Sequence, residues 1–163
     1  MAKAEQQSRL QRNEEKWSPL LMEAGWTAIP SIILEKQHAL GLDAMDVNIL
    51  LHLARHWWYR DNPPHPSKAS IAECLRVDPS TVRRHIAGME AAGFIRREAR
   101  YKPSGGQENN MYHFDGLIKE ATPLAEEAVR ERKQQQQERV ARRRRKGSRS
   151  VVDNRSGARG NRE

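Results

Sequence analysis

The chain has 163 residues, of which 37% are hydrophobic and 31% charged, so it holds one domain with a tail rather than two cores. Its single cysteine, Cys74, excludes a disulfide framework and a cysteine-built zinc site, and no apolar run nears the roughly 18–20 residues of a membrane span. The formal charge is +8, but it is unevenly placed: Arg139 to Glu163 carries ten basic and two acidic residues, while the preceding residues carry 19 of each. Inside that neutral body, Lys68 to Lys102 holds eight basic residues against four acidic ones, so two separate basic features need separate explanations.

In chain order, residues 1–16 are polar and mixed in charge, which predicts a flexible arm with no secretory signal and a cytoplasmic location. Trp17 to Leu40 is richer in apolar residues, with Pro30-Ser31 suited to a helix start and Gly41 to its stop. Asp43 suits the cap of a next helix, with Asp46 favouring its positive end. On that helix Val47, Leu50, Leu51, Ala54, Trp57 and Trp58 recur at helical spacing until Asp61-Asn62-Pro63-Pro64 breaks it.

Ser67 then caps a short helix bearing Ile71, Ala72 and Leu75. Arg76-Val77-Asp78 forms a turn, and Asp78 or Ser80 caps a helix with Pro79 in its first turn and Val82, Ile86 and Met89 as its apolar stripe. Gly93 ends it. FIRREARY and MYHF read as two strands joined by the turn-rich PSGGQENN. Leu117 to Val129 again repeats at helical spacing, with Thr122-Pro123 able to restart or kink the helix, before KQQQQER and ARRRRKGSRS lose the apolar face.

The run PSKASIAECLRVDPSTVRRHIAGMEAAGFIRRE resembles the winged helix-turn-helix domain of many bacterial transcription regulators and of plasmid or phage replication initiators. The likeness spans about residues 42–114 and departs at the turn, where Arg76 stands in place of a frequent glycine. It implies a mainly α fold with a small β-hairpin, a winged helix-turn-helix with flanking helices, while the low-complexity composition beyond it predicts a disordered basic C-terminal tail. The expected boundaries are an arm at 1–16, the winged domain with its lead-in helix at 17–116, a C-terminal helix at 117–140 and the tail at 141–163. The resemblance also implies binding to double-stranded DNA, with helix 79–92 in the major groove and a wing at 100–112.

The residues support particular roles. A helix crossing needs a small side chain, and Ala72 stands there. At 100° per residue, with Val82 inward, Ser80, Arg83, Arg84 and Ala87 fall on the outer side, and Arg84 is nearly opposite the core. Arg84 is therefore expected at a base edge, most simply guanine, and Ser80 and Thr81 at phosphate through free helix-start N–H groups. Lys68, Arg83, Arg96, Arg100, Lys102 and Asn109 complete the expected DNA surface. Arg142, Arg143, Arg144 and Arg145 in the tail are expected to add sequence-independent phosphate contacts.

No phosphate-binding glycine loop, nucleophile–base pair or carboxylate pair stands out, so neither catalysis nor a cofactor is expected. His52 and His56 have metal-like i, i+4 spacing but no evident third ligand, so no metal is expected, and His85 reads as a helix-packing residue. Beyond DNA, the expected partners are a second copy of the chain and the transcription or replication machinery, with no membrane.

Overall fold

The computed structural model describes residues 11–157, with side chains through Arg143. The chain divides at Ala121/Thr122 into two units. In the first, residues 11–17 form α1, followed by α2 (Pro19–Glu23), α3 (Ser31–Glu35), α4 (Ala44–Ala54), α5 (Lys68–Leu75), α6 (Pro79–Ala91), β1 (Arg96–Glu98) and β2 (Met111–His113). A last helix, α7 (Asp115–Gly157), begins in this unit, and its continuation from Thr122 is the described part of the second.

The helix starts follow from short polar caps. Asp43 and Asp46 form a reciprocal capping box on α4: Asp46 N–H donates to Asp43 Oδ1 at 2.8 Å and Asp43 N–H to Asp46 Oδ2 at 3.0 Å. Ser67 Oγ accepts the Ser70 N–H at 2.9 Å, and Asp78 Oδ1 accepts the Ser80 N–H at 2.7 Å, with Pro79 supplying a preset φ where no donor is needed. Between α5 and α6, Arg76 takes the left-handed conformation at φ 52°, ψ 44°, a geometry that costs a non-glycine residue roughly 1–2 kcal/mol.

The core lies where α4, α5 and α6 meet. Ile49, Leu53, Val82 and Ile86 are fully buried, and Ala72 is buried at the α5–α6 packing where a larger residue would hold the helices apart. Burial of each large aliphatic contributes about 1.5–3 kcal/mol, so this cluster carries the fold of the first unit. Helix α4 is shorter than the apolar spacing suggested. It ends at Ala54, its buried residues are Val47, Ile49, Leu50 and Leu53, and Trp58 is 62% exposed. Trp57 instead leaves the helix and stacks on Phe114, with ring centroids 5.0 Å apart and planes at 17°.

The hairpin is antiparallel, with Arg96 opposite His113, Arg97 opposite Tyr112 and Glu98 opposite Met111. The strands are much shorter than FIRREARY and MYHF predict. Beyond Glu98 the pairing continues only through Glu108 N–H to the Arg100 carbonyl at 2.8 Å and Lys102 N–H to the Gly106 carbonyl at 3.0 Å. At the hairpin base the Tyr112 N–H donates to the Pro64 carbonyl at 2.9 Å, which ties β2 to the prolyl loop after α4.

Gly93, at φ 77°, terminates α6, and the start of α7 crosses it so closely that a Cβ on Gly116 would stand 1.7 Å from the Gly93 carbonyl oxygen. Only hydrogen fits there. The Leu117 N–H then donates to the Phe94 carbonyl at 2.8 Å, and Leu117 and Ala121 add to the core.

Helix α7 runs without a break through Pro123 and through the polar stretch for which a disordered tail from 141 was expected. Its glutamate, glutamine, arginine and alanine content accounts for this, since these are strong helix formers even where no apolar face remains. No described helix is long and apolar enough to cross a membrane.

Candidate nucleic-acid interface

Helix α6 presents two faces. Val82, Ile86 and Met89 are buried, while Ser80, Arg83, Arg84, Ala87 and Gly88 are exposed. The outer face therefore has the composition a groove requires: short residues that allow close approach, and two long cations. Among the described residues, no carboxylate lies in ion-pair range of Arg83 or Arg84.

Lys68, at the start of α5, is half-buried, and its ammonium is pushed below the usual lysine range by burial and then by the nearby charges of Arg97 and Arg83. Glu90 opposes this shift and is itself paired with Arg97, so the positive charge left for an anion such as phosphate is that of Lys68 and Arg83. In the sequence Arg83 is picked out by helical spacing and Lys68 by its charge alone; their meeting depends on the α5–α6 crossing and on β1 returning beside it.

Ser80 and Thr81 differ from expectation. The Asp78 carboxylate is held below its ordinary range by the Ser80 hydroxyl, then by the Ser80 N–H, while the Thr81 N–H donates to the Asp78 carbonyl at 2.9 Å. The helix-start donors expected to meet phosphate are therefore occupied, and an anionic cap stands among them. Sequence permitted Asp78 as the cap, and the consequence for the neighbouring donors follows from that choice.

The hairpin differs again. Arg96 is exposed but pairs with Glu98 at 3.3 Å, and Glu98 also meets His113 at 2.9 Å. Arg97 is half-buried and wraps Glu90 of α6: its Nε donates to Oε2 at 2.6 Å, its backbone N–H to Oε1 at 3.1 Å, and its guanidinium NH2 joins the same carboxylate. Arg100 pairs with Glu108 at 3.0 Å. Lys102 and Asn109 are exposed in the loop, where Gly105 and Gly106 bend the backbone at φ 87° and 91°.

In the second unit Arg142 and Arg143 are exposed on α7. The side chains of Arg144 and Arg145 lie outside the described residues.

His85, on the flank of α6, places Nδ1 2.8 Å from Asp46 Oδ1 and 3.8 Å from Asp43 Oδ1. These three donor atoms lie within 4.8 Å of one another, a spacing metal ligands can share. The capping box and the imidazole hydrogen bond already account for the arrangement, which fastens α6 to the start of α4.

Residues 40–95 match the family described as "Helix-turn-helix domain". No curated protein matches the chain. Among solved structures, the N-terminal domain of DnaD protein from Geobacillus kaustophilus HTA426 is 18% identical, with 72% of this chain and 96% of that one covered at a TM-score of 0.50. A possible transcriptional regulator from Methanosarcina mazei Go1 is 18% identical, covering 65% of this chain and 82% of that one, with a TM-score of 0.40. The transcriptional regulator SlyA is 21% identical over 78% of this chain and 82% of that one, with a TM-score of 0.36.

Proposed function

We propose that this chain, which carries a winged helix-turn-helix DNA-binding domain, is a sequence-specific transcription regulator that binds a palindromic duplex site as a dimer. The observation that supports this most directly is the outer face of α6, where Arg83 and Arg84 stand exposed and neither is held in an ion pair among the described residues, Arg83 feeling only the charge of the Asp78 cap. In the major groove a bidentate arginine distinguishes guanine by about 1–3 kcal/mol, and Arg84 is the side chain we assign to that contact.

Lys68, with Arg83 beside it, takes the flanking phosphate. Lys102 and Asn109 follow the backbone from the hairpin loop, where paired glycines allow close approach. Arg142 to Arg145 add phosphate contacts that hold the chain on DNA without reading sequence.

Selection of bound duplexes from a random pool at fixed salt, followed by footprinting of the enriched site, tests this reading. A single palindrome with half-sites about one helical turn apart is the expected result. Direct repeats would replace the regulator with a replication initiator. Unbroken protection without sequence enrichment would overturn sequence-specific recognition altogether.

A further inference from the structure

On the first unit, between the prolyl loop and the hairpin base, lies an open cleft of about 840 Å³, within the size range of small-molecule sites. Its floor includes the stacked Trp57–Phe114 pair, and its walls include the 62% exposed Trp58 and the 71% exposed Tyr59. Rings held this openly are stacking surfaces for a flat ligand.

The cleft is locally acidic within a part of the chain whose charges otherwise balance. Three carboxylates line it, Asp61, Glu98 and Asp115, against one guanidinium, Arg60. Glu98 already answers Arg96 and His113, which leaves Asp61 and Asp115 without an ion pair among the described residues. An acidic, aromatic-walled cleft repels phosphate and other anions. It attracts a cation, whose charge also interacts favourably with the faces of tryptophan and tyrosine rings.

We propose that this cleft binds a small planar organic cation, held by stacking on Trp58 and Tyr59 and by the carboxylates of Asp61 and Asp115. This does not rest on the DNA-reading assignment, because none of the cleft residues lies on α6. Size and charge favour a small molecule over a DNA base: the cleft takes a whole polycyclic ligand, and its acidic rim opposes the phosphates that would accompany a base.

The test uses the full chain without DNA and fluorescence anisotropy of two xanthene dyes of similar shape, cationic rhodamine 6G and anionic fluorescein. The expected result is micromolar binding of the cation, at least tenfold tighter than the anion. Trp58→Ala should weaken the cation at least tenfold, Trp58→Phe should retain most of the affinity, and Asp61→Asn should weaken it about threefold while leaving fluorescein unchanged. Thermal melts check that each variant is folded, as the exposure of Trp58 leads one to expect. Equal affinity for the two dyes, or cation binding indifferent to Trp58→Ala, overturns the proposal. Displacement of the dye by an equimolar hexalysine peptide would assign the cleft to a protein partner and overturn it as well.

Discussion

Helix α6 and the hairpin carry arginines in similar number and at similar sequence density, yet the structure uses them in opposite ways. Arg83 and Arg84 extend from α6 and are held in no ion pair among the described residues, whereas Arg96, Arg97 and Arg100 are each committed to a glutamate of the same unit. The local excess of basic residues between Lys68 and Lys102 is therefore a poor measure of charge offered to DNA. Paired arginines still contribute to the field, but an incoming phosphate must first compete with Glu98, Glu90 or Glu108.

The comparison assumes that both regions hang on one scaffold, and the strongest variant attacks that scaffold. Gly116→Ala would place a methyl 1.7 Å from the Gly93 carbonyl oxygen, so it should cost about 3 kcal/mol or more in a urea melt and lower DNA binding through both regions together. Loss of the hairpin alone, with α6 and its core still cooperative, would show that the two are separable.

The most direct contrast is between Arg84→Ala and Arg100→Ala. Arg84→Ala should lower discrimination between the selected site and random duplex by about 1–3 kcal/mol, read as a ratio of dissociation constants at one salt concentration. Arg100→Ala should change that ratio by less than about 0.5 kcal/mol, because its guanidinium is already spent on Glu108. Equal effects would break the contrast.

Arg97 and Arg96 differ in stability rather than binding. Arg97→Ala removes charge-assisted hydrogen bonds to a half-buried Glu90 and should cost about 1.5–3 kcal/mol, against less than about 1 kcal/mol for the exposed Arg96. The Glu90 carboxyl is held below its ordinary range first by the Arg97 hydrogen bond, so its contribution is complete above the unfolded carboxylate pKa of about 4.3 and is lost as pH falls through the lower folded value. Urea melts of wild type and Arg97→Ala should therefore differ at pH 6 and converge in acid. A gap that persisted at pH 2 would mean that Arg97 acts by packing alone.

The smallest expected effect runs in the opposite direction. Glu108→Gln should release Arg100 and raise affinity for random duplex about threefold, with a salt slope steeper by up to about 0.9. An unchanged slope would mean that the loop stays away from the phosphates.

The parts of this arrangement that were legible in sequence are those decided within a turn or two of the chain. Asp43, Ser67 and Asp78 cap the helices their spacing nominated, Ala72 is buried at the crossing, and Val82, Ile86 and Met89 are the inward stripe. Arg76 keeps the left-handed turn conformation at the position where the resemblance departs from glycine.

What sequence did not show depends on groups brought together by the fold. Helix α4 is apolar on so much of its circumference that periodicity selects Leu51 where the fold buries Ile49 and Leu53, and carries the helix past its end to Trp57. The partners of Arg97 and Arg100 lie seven and eight residues away, across a helix terminus and a bent loop, where no helical or strand spacing points. The acidic cleft is assembled from the prolyl loop, both strands and the start of α7, each unremarkable by itself.

The bond between Tyr112 and Pro64 has a consequence for cutting the chain. It clamps the hairpin at its base, while Tyr112, Phe114 and Leu117 anchor the second strand and the start of α7 in the core. Tyr101, 69% exposed near the tip, is an open target for chymotrypsin, whereas Pro103 shields the peptide bond after Lys102 from trypsin. A nick confined to the bond after Tyr101, obtained with Trp58 and Tyr59 replaced so that chymotrypsin spares the prolyl loop, should accordingly yield two fragments that travel together on a sizing column and part only in denaturant, so the loop can be opened, tagged or exchanged without dismantling the domain beneath it.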